Sequence, residues 1–196
     1  MVGKKLCAVV AVAAMALAGC GKPFGGRVVY QGDYPYYETV ADLMAKADLV
    51  IEATVADPRA GMLYPSGEGG TDPQANPQAG APEPKAPPAD LGIVITIWSA
   101  TVTKVHKGRP TQATVQVQQM GGERDGVVYE QPGAVAFTEG TTYLLFLETY
   151  PDSPASLLNP DQAQYTVEAG TYRPVGDNKL TVTPADLTAK TVGGPR

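Results

Sequence analysis

Few side chains in this sequence can do chemistry, and they do not gather into a recognisable set. There is one histidine, His106, and there are four serines, Ser66, Ser99, Ser153 and Ser156. None of the serines stands in a G-x-S-x-G turn, and a lone imidazole makes neither a zinc site nor a triad. Ser99 and His106 share a strand face only if a bulge intervenes. The carboxylates are spread out: Asp48 and Glu52 flank or line one apolar run, Glu123 and Asp125 share a loop, and Asp177 sits in a turn. They form no EF-hand loop, and a glycosidase pair is a matter of geometry that spacing does not reveal. Gly121 and Gly126 have phosphate-loop spacing, yet Val127 and Val128 stand where Lys and Ser/Thr are required. Solvated turns and strand faces account for these acids. The sequence therefore assigns no catalytic, cofactor-binding or metal-ligating residue.

The elements that would position such groups are mostly strands. Leu91 to Gln119 holds two runs rich in β-branched residues, broken at Lys107-Gly108-Arg109-Pro110, which reads as a hairpin. In the first run Ile93, Ile95 and Ile97 share one face while Trp98, Ala100 and Val102 share the other, so a bend or bulge is expected where the apolar phase changes. Ala113, Val115 and Val117 alternate with polar residues and predict a strand with one wet face. Leu49 to Val55 reads as a strand, and Tyr143 to Leu147, apolar on both faces, reads as a central buried one. Further strands are expected at Val127 to Tyr129, Ala134 to Phe137, Gln164 to Val167, Thr171 to Val175 and Lys179 to Val182. Thr39 heads a helix over Val40 to Ala45, and Thr183-Pro184 heads a second.

Composition divides the chain further. Between Asp57 and Asp90 there are eight prolines and five glycines, too little apolar surface to offset the entropy of ordering, so residues 57–90 are expected to be a disordered Pro/Gly/Ala-rich insert. Residues 20–36 read as a flexible tether and 191–196 as a frayed tail. One β domain over 37–190 remains. Tyr30, Tyr34, Tyr36 and Tyr37 form either a sugar-stacking patch or, the reading favoured, a cover for the domain edge or a membrane-surface contact. The formal net charge is -5, and the absence of a basic cluster removes electrostatic support for nucleic acid as a partner.

At the start, Lys4 and Lys5 precede about thirteen apolar residues and then small ones, the layout of a signal peptide over residues 1–19. That run falls short of the roughly twenty residues of a spanning helix. Leu17-Ala18-Gly19-Cys20 resembles the lipobox of bacterial lipoproteins. The resemblance implies cleavage before Cys20, a diacylglycerol thioether on its sulfur and acylation (palmitate or a similar chain) of the new amino group. Cys7 would leave with the signal, so neither cysteine would be free for a disulfide.

ADLVIEATV, VTKVHKG, a strand ending in Gly-Gly and GTTYLLFL together resemble the OB-like barrel of the netrin and metalloprotease-inhibitor superfamily, over roughly Ala47 to Leu147 without the insert. The expected fold is mainly β, a small OB-like Greek-key barrel with one or two short helices. Inhibition in that superfamily uses a free N-terminal cysteine braced by disulfides, which an acylated Cys20 does not provide.

The expectation is an exported, lipid-anchored protein on the extracytoplasmic face of the cell membrane. It would be a monomeric, non-enzymatic binding module with no cofactor, held to the membrane by lipid on Cys20, with an envelope protein or glycan as partner. The alternative is a carboxylate-based hydrolase or metal-dependent enzyme of the envelope. An enzyme should show acids converging in a concave pocket, and a binding module an apolar or aromatic surface.

Overall fold

The computed structural model describes residues 25–64 and 92–188. The signal segment, Cys20, most of the Pro-rich stretch and the tail lie outside them. The described chain runs β1 (Arg27–Val29), α1 (Val40–Lys46), β2 (Leu49–Leu63), β3 (Ile93–Lys107), β4 (Thr114–Met120), β5 (Gly122–Arg124), β6 (Val127–Glu130), β7 (Thr142–Glu148), β8 (Ala155–Leu157), β9 (Gln164–Glu168), β10 (Thr171–Pro174) and α2 (Pro184–Thr188). It is mainly β with two short helices, as the sequence predicts.

The larger sheet has the order β10-β9-β7-β2-β3-β4-β8. β2, β3 and β4 are consecutive antiparallel neighbours, and β7 returns to lie beside β2, which is a Greek key. Closure comes from β8. It pairs parallel to β4 at Val117–Ala155 and antiparallel to β7 at Leu147–Leu157, so the ring β7-β2-β3-β4-β8 joins itself. A small barrel results, and the ring leaves few open edges.

The interior follows from strand alternation. Ile51, Ala53, Val55, Ala100, Val117, Leu145 and Leu147 are buried in one cluster, with Trp98 against Phe137 edge-on at 5.9 Å. α1 covers this core with Leu43 and Met44. Thr39 caps it by accepting from the Asp42 N–H at 3.1 Å, and Lys107 donates to the Met44 and Ala45 carbonyls at 2.6 and 3.0 Å, meeting the negative end of the helix.

β3 resolves its two apolar phases in a different way from the one expected. Its register with β4 is unbroken from Ile95 to Thr101. Trp98 faces the interior, Val94 on the same side of the strand is 2% exposed, and Ile95 and Ile97 on the opposite face are just as buried, at 3% and 7% exposed. The phase does not switch, because the first half of β3 is covered on both sides. The bulge lies across the ladder in β2, where register slips between Ala56 and Arg59 and Asp57 takes a left-handed φ of 52°. Pro58 falls at this slip, where its missing N–H leaves no ladder bond unmade.

That bulge corrects the expected start of the insert. Asp57 to Leu63, read as the disordered start of residues 57–90, belong to β2, and Arg59 to Leu63 pair with β3 from Ile97 back to Ile93. The tether over 20–36 is corrected similarly in its described part. β1 pairs parallel with β6, Arg27 forms an ion pair with Glu130, and the Tyr30 hydroxyl accepts from the Val94 N–H at 2.8 Å while its ring stacks on Tyr129. Ala134 to Phe137 and Lys179 to Val182 are irregular, not strands.

Candidate functional site

A cleft of about 300 Å³ opens on the outer face of the barrel wall. Its floor follows from register. Glu148 pairs with Ser156, Ser156 with Gln118, and Gln118 with Ile97, so Glu148, Ser156 and Gln118 form a polar row across β7, β8 and β4. Beside this row the same face carries Ile95 paired with Met120, and Leu63 beyond them, an apolar strip. Gly61, opposite Ile95, leaves room for it: a Cβ there would lie 2.8 Å from the Ile97 side chain.

The rim is aromatic and held in place. Tyr34, Pro35 and Tyr37 form one side and Tyr150 contributes from the end of β7. Asn159 donates to the Pro35 carbonyl at 2.9 Å, and its own oxygen accepts from the Asp161 and Gln162 N–H groups. The Gln162 amide clasps Tyr37 from both sides, accepting from its N–H at 2.9 Å and donating to its carbonyl at 2.8 Å. This is a pre-organised edge.

Two polar atoms of residues lining this cleft, Gln118 Oε1 and Tyr37 Oη, are closed off from solvent and have no hydrogen-bond partner among the described residues. Gln118 is 7% exposed and Tyr37 8%. Gln118 spends its Nε2 on Ser156 Oγ at 2.7 Å, which fixes the amide and leaves the acceptor over. Burial, with the Glu148 charge adding to it, pushes the Tyr37 phenol above its ordinary value, and burial does the same for Tyr150. Both stay protonated, as neutral hydroxyls.

The residues singled out from the sequence lie elsewhere. His106 is the extra residue of a second register slip, between Val50–Lys107 and Ile51–Val105. The slip turns its ring onto Glu52, 2.8 Å from Nε2 to Oε1, and the same oxygen accepts from Tyr172 at 2.7 Å, with Lys104 at 3.4 Å. Burial raises the Glu52 carboxyl, but bonds from Tyr172 and His106 and the Lys104 charge outweigh it and hold the group below the usual range. Ser99 does not join His106; it accepts from Gln116 at 3.2 Å. Among the described residues no three His, Cys, Asp or Glu side chains stand close enough to hold a metal ion, and Glu148 is the carboxylate on the cleft.

Of the tyrosines considered together, Tyr34 and Tyr37 reach the cleft, Tyr30 is used in packing, and Tyr36 is 72% exposed. Gln118, Ser156 and Glu148 carried no sequence signal, since polar residues on an alternating strand read as its solvent face. The chain matches no protein-family model and no curated protein. No helix among the described residues is long and apolar enough to cross a membrane.

Proposed function

We propose that this chain is an exported lipoprotein, anchored through Cys20 at the extracytoplasmic face of the cell membrane, whose barrel is a non-enzymatic binding module. The anchor rests on the residues Leu17-Ala18-Gly19-Cys20 after an apolar run. The binding role rests on one observation: a cleft whose tyrosine rim is held by the buried Gln162 amide sets the polar row of Gln118, Ser156 and Glu148 beside the apolar strip of Ile95, Met120 and Leu63. The hydrolase reading asks for two acids facing one space, and among the described residues the cleft offers Glu148 alone.

Two measurements test this. Cys20→Ala should abolish labelling by radioactive palmitate and release the protein from the membrane fraction; persistent labelling refutes the anchor. A photo-crosslinker at Tyr150, which is 41% exposed on the rim, should capture an envelope component in intact cells. An adduct profile identical to that of a crosslinker at Glu168, on β9, refutes the cleft as the binding site.

A further inference from the structure

Away from the cleft, the smaller sheet has the order β1-β6-β5 and carries apolar side chains into solvent. We infer that its outer face rests on the lipid surface and decides which side of the barrel stands on the membrane, an inference that rests on the anchoring of Cys20 proposed above. Three of the eight exposed large apolar residues among those described, Val28, Val29 and Val128, belong to β1 and β6, strands of only three and four residues. Apolar side chains gathered in this way mark contact with a protein or a membrane.

Register separates the two faces of the sheet. Arg27 pairs with Val128 and Val29 with Glu130, so strand alternation puts these four on one face, together with Glu123 opposite Val128. The other face carries Tyr129 and Gly122 and is packed. Tyr129 stacks on Tyr30, the Tyr30 hydroxyl accepts from the Val94 N–H, and a Cβ at Gly122 would run into Thr96 of β3. The first face therefore points away from the barrel, with Val29 49% and Val128 40% exposed. Arg27 and Glu130 neutralise each other as an ion pair, which leaves Glu123 as the remaining charge. Such a face has no attraction for anionic headgroups and suits zwitterionic lipid, with Arg27 lying on its apolar stem.

Chain length selects lipid as the occupant. Residues 21–26 alone separate Cys20 from Arg27 at the start of β1. Fully extended, that connection spans about 25 Å, less than the roughly 35 Å across a domain of this size. A chain held by lipid on Cys20 cannot stand with β1 on its far side. Two valines do not hold a domain on a bilayer unaided; the anchor supplies the affinity and the local concentration, and the valines select the side that settles.

The test places a nitroxide on Val29→Cys, Val128→Cys and Glu168→Cys in turn, in the full chain purified from membranes and reconstituted in phosphatidylcholine vesicles. All three positions are exposed, so folding is not at stake. Relaxation by oxygen, which concentrates in lipid, relative to a water-soluble nickel chelate should be at least about threefold higher at 29 and 128 than at 168. Val29→Asp should lower the ratio at 128 by at least about twofold. Equal ratios at the three sites, on a chain whose mass shows lipid on Cys20, overturn the face and leave the anchor standing. A chain without that mass, and with a second nitroxide on Cys20, overturns the anchor and the inference with it. Dipolar broadening between labels at 29, abolished by dilution with unlabelled chain, overturns the membrane as occupant in favour of a second copy paired along the edge of β1.

Discussion

His106 Nε2 lies 2.8 Å from Glu52 Oε1, and the contact exists because β3 carries one residue more than β2 at that point. In regular pairing neighbouring side chains alternate between faces, and the extra residue changes which face His106 shares. A carboxylate only accepts, so the ring nitrogen facing it carries the hydrogen. Tyr172 from β10 completes the group, its ring edge-on to His106 at 6.3 Å. The network ties the end strand of the sheet to the centre of the barrel.

Glu52 makes stability depend on acid pH. Its folded-state pKa is depressed, so its stabilisation is full above the unfolded value of about 4.3 and is lost as pH falls through the folded one. Urea unfolding between about pH 5 and pH 2 should show a steeper loss in the parent than in Glu52→Gln. Identical slopes would remove Glu52 as a contributor.

Tyr172 sets the opposite limb. Burial first, then its bond to Glu52 and that group's charge, raise its pKa, so its stabilisation is full below the unfolded value of about 10 and is lost as pH rises beyond it. Tyr172→Phe should lower stability near neutrality by about 1–2 kcal/mol and flatten the decline above about pH 10. An unchanged alkaline limb would show that another group titrates there.

Gln162 holds the rim through both polar atoms of its amide and is 2% exposed. Gln162→Leu leaves the Tyr37 N–H and carbonyl unpaired, at about 1–3 kcal/mol for each. Guanidinium unfolding should show the loss, and hydrogen exchange should quicken at Tyr37. Exchange as slow as in the parent would mean that the rim is held by other contacts.

Gly108 turns β3 toward β4 at φ 77°, and a Cβ there would collide with the Asp48 carbonyl oxygen. Gly108→Ala should destabilise by at least about 1–3 kcal/mol, from left-handed backbone strain plus the clash. Gly140, at φ 78° with open space around it, serves as the comparison. Gly140→Ala should lose only the conformational part, and equal losses at the two sites would exclude the collision.

Thr39 is the cap of α1, accepting from the Asp42 N–H and donating to the Asp42 carboxylate at 2.6 Å. Thr39→Ala should cost about 1 kcal/mol in thermal unfolding, and Thr39→Ser should restore most of it. Equal stability of the two variants would count against the cap.

The sequence by itself determined what depends on neighbours along the chain. Apolar alternation marks β2, β4 and β9, continuous apolarity marks β7 as buried, and Thr39 and Thr183-Pro184 mark the helix starts. These signals are legible because a strand or helix writes its period into a few consecutive residues. Only the tertiary structure decided the rest. β1 finds its partner about a hundred residues away, and no pattern within Arg27–Val29 announces that pairing. Asp57 and Pro58 look like a break, yet a bulge accommodates both and lets β2 continue to Leu63. Gln118, Ser156 and Glu148 look like a wetted face until the closure of β8 onto β4 and β7 sets them side by side under a tyrosine rim. Which polar atom goes unsatisfied is a property of everything packed around it, and strands distant in sequence supply those surroundings.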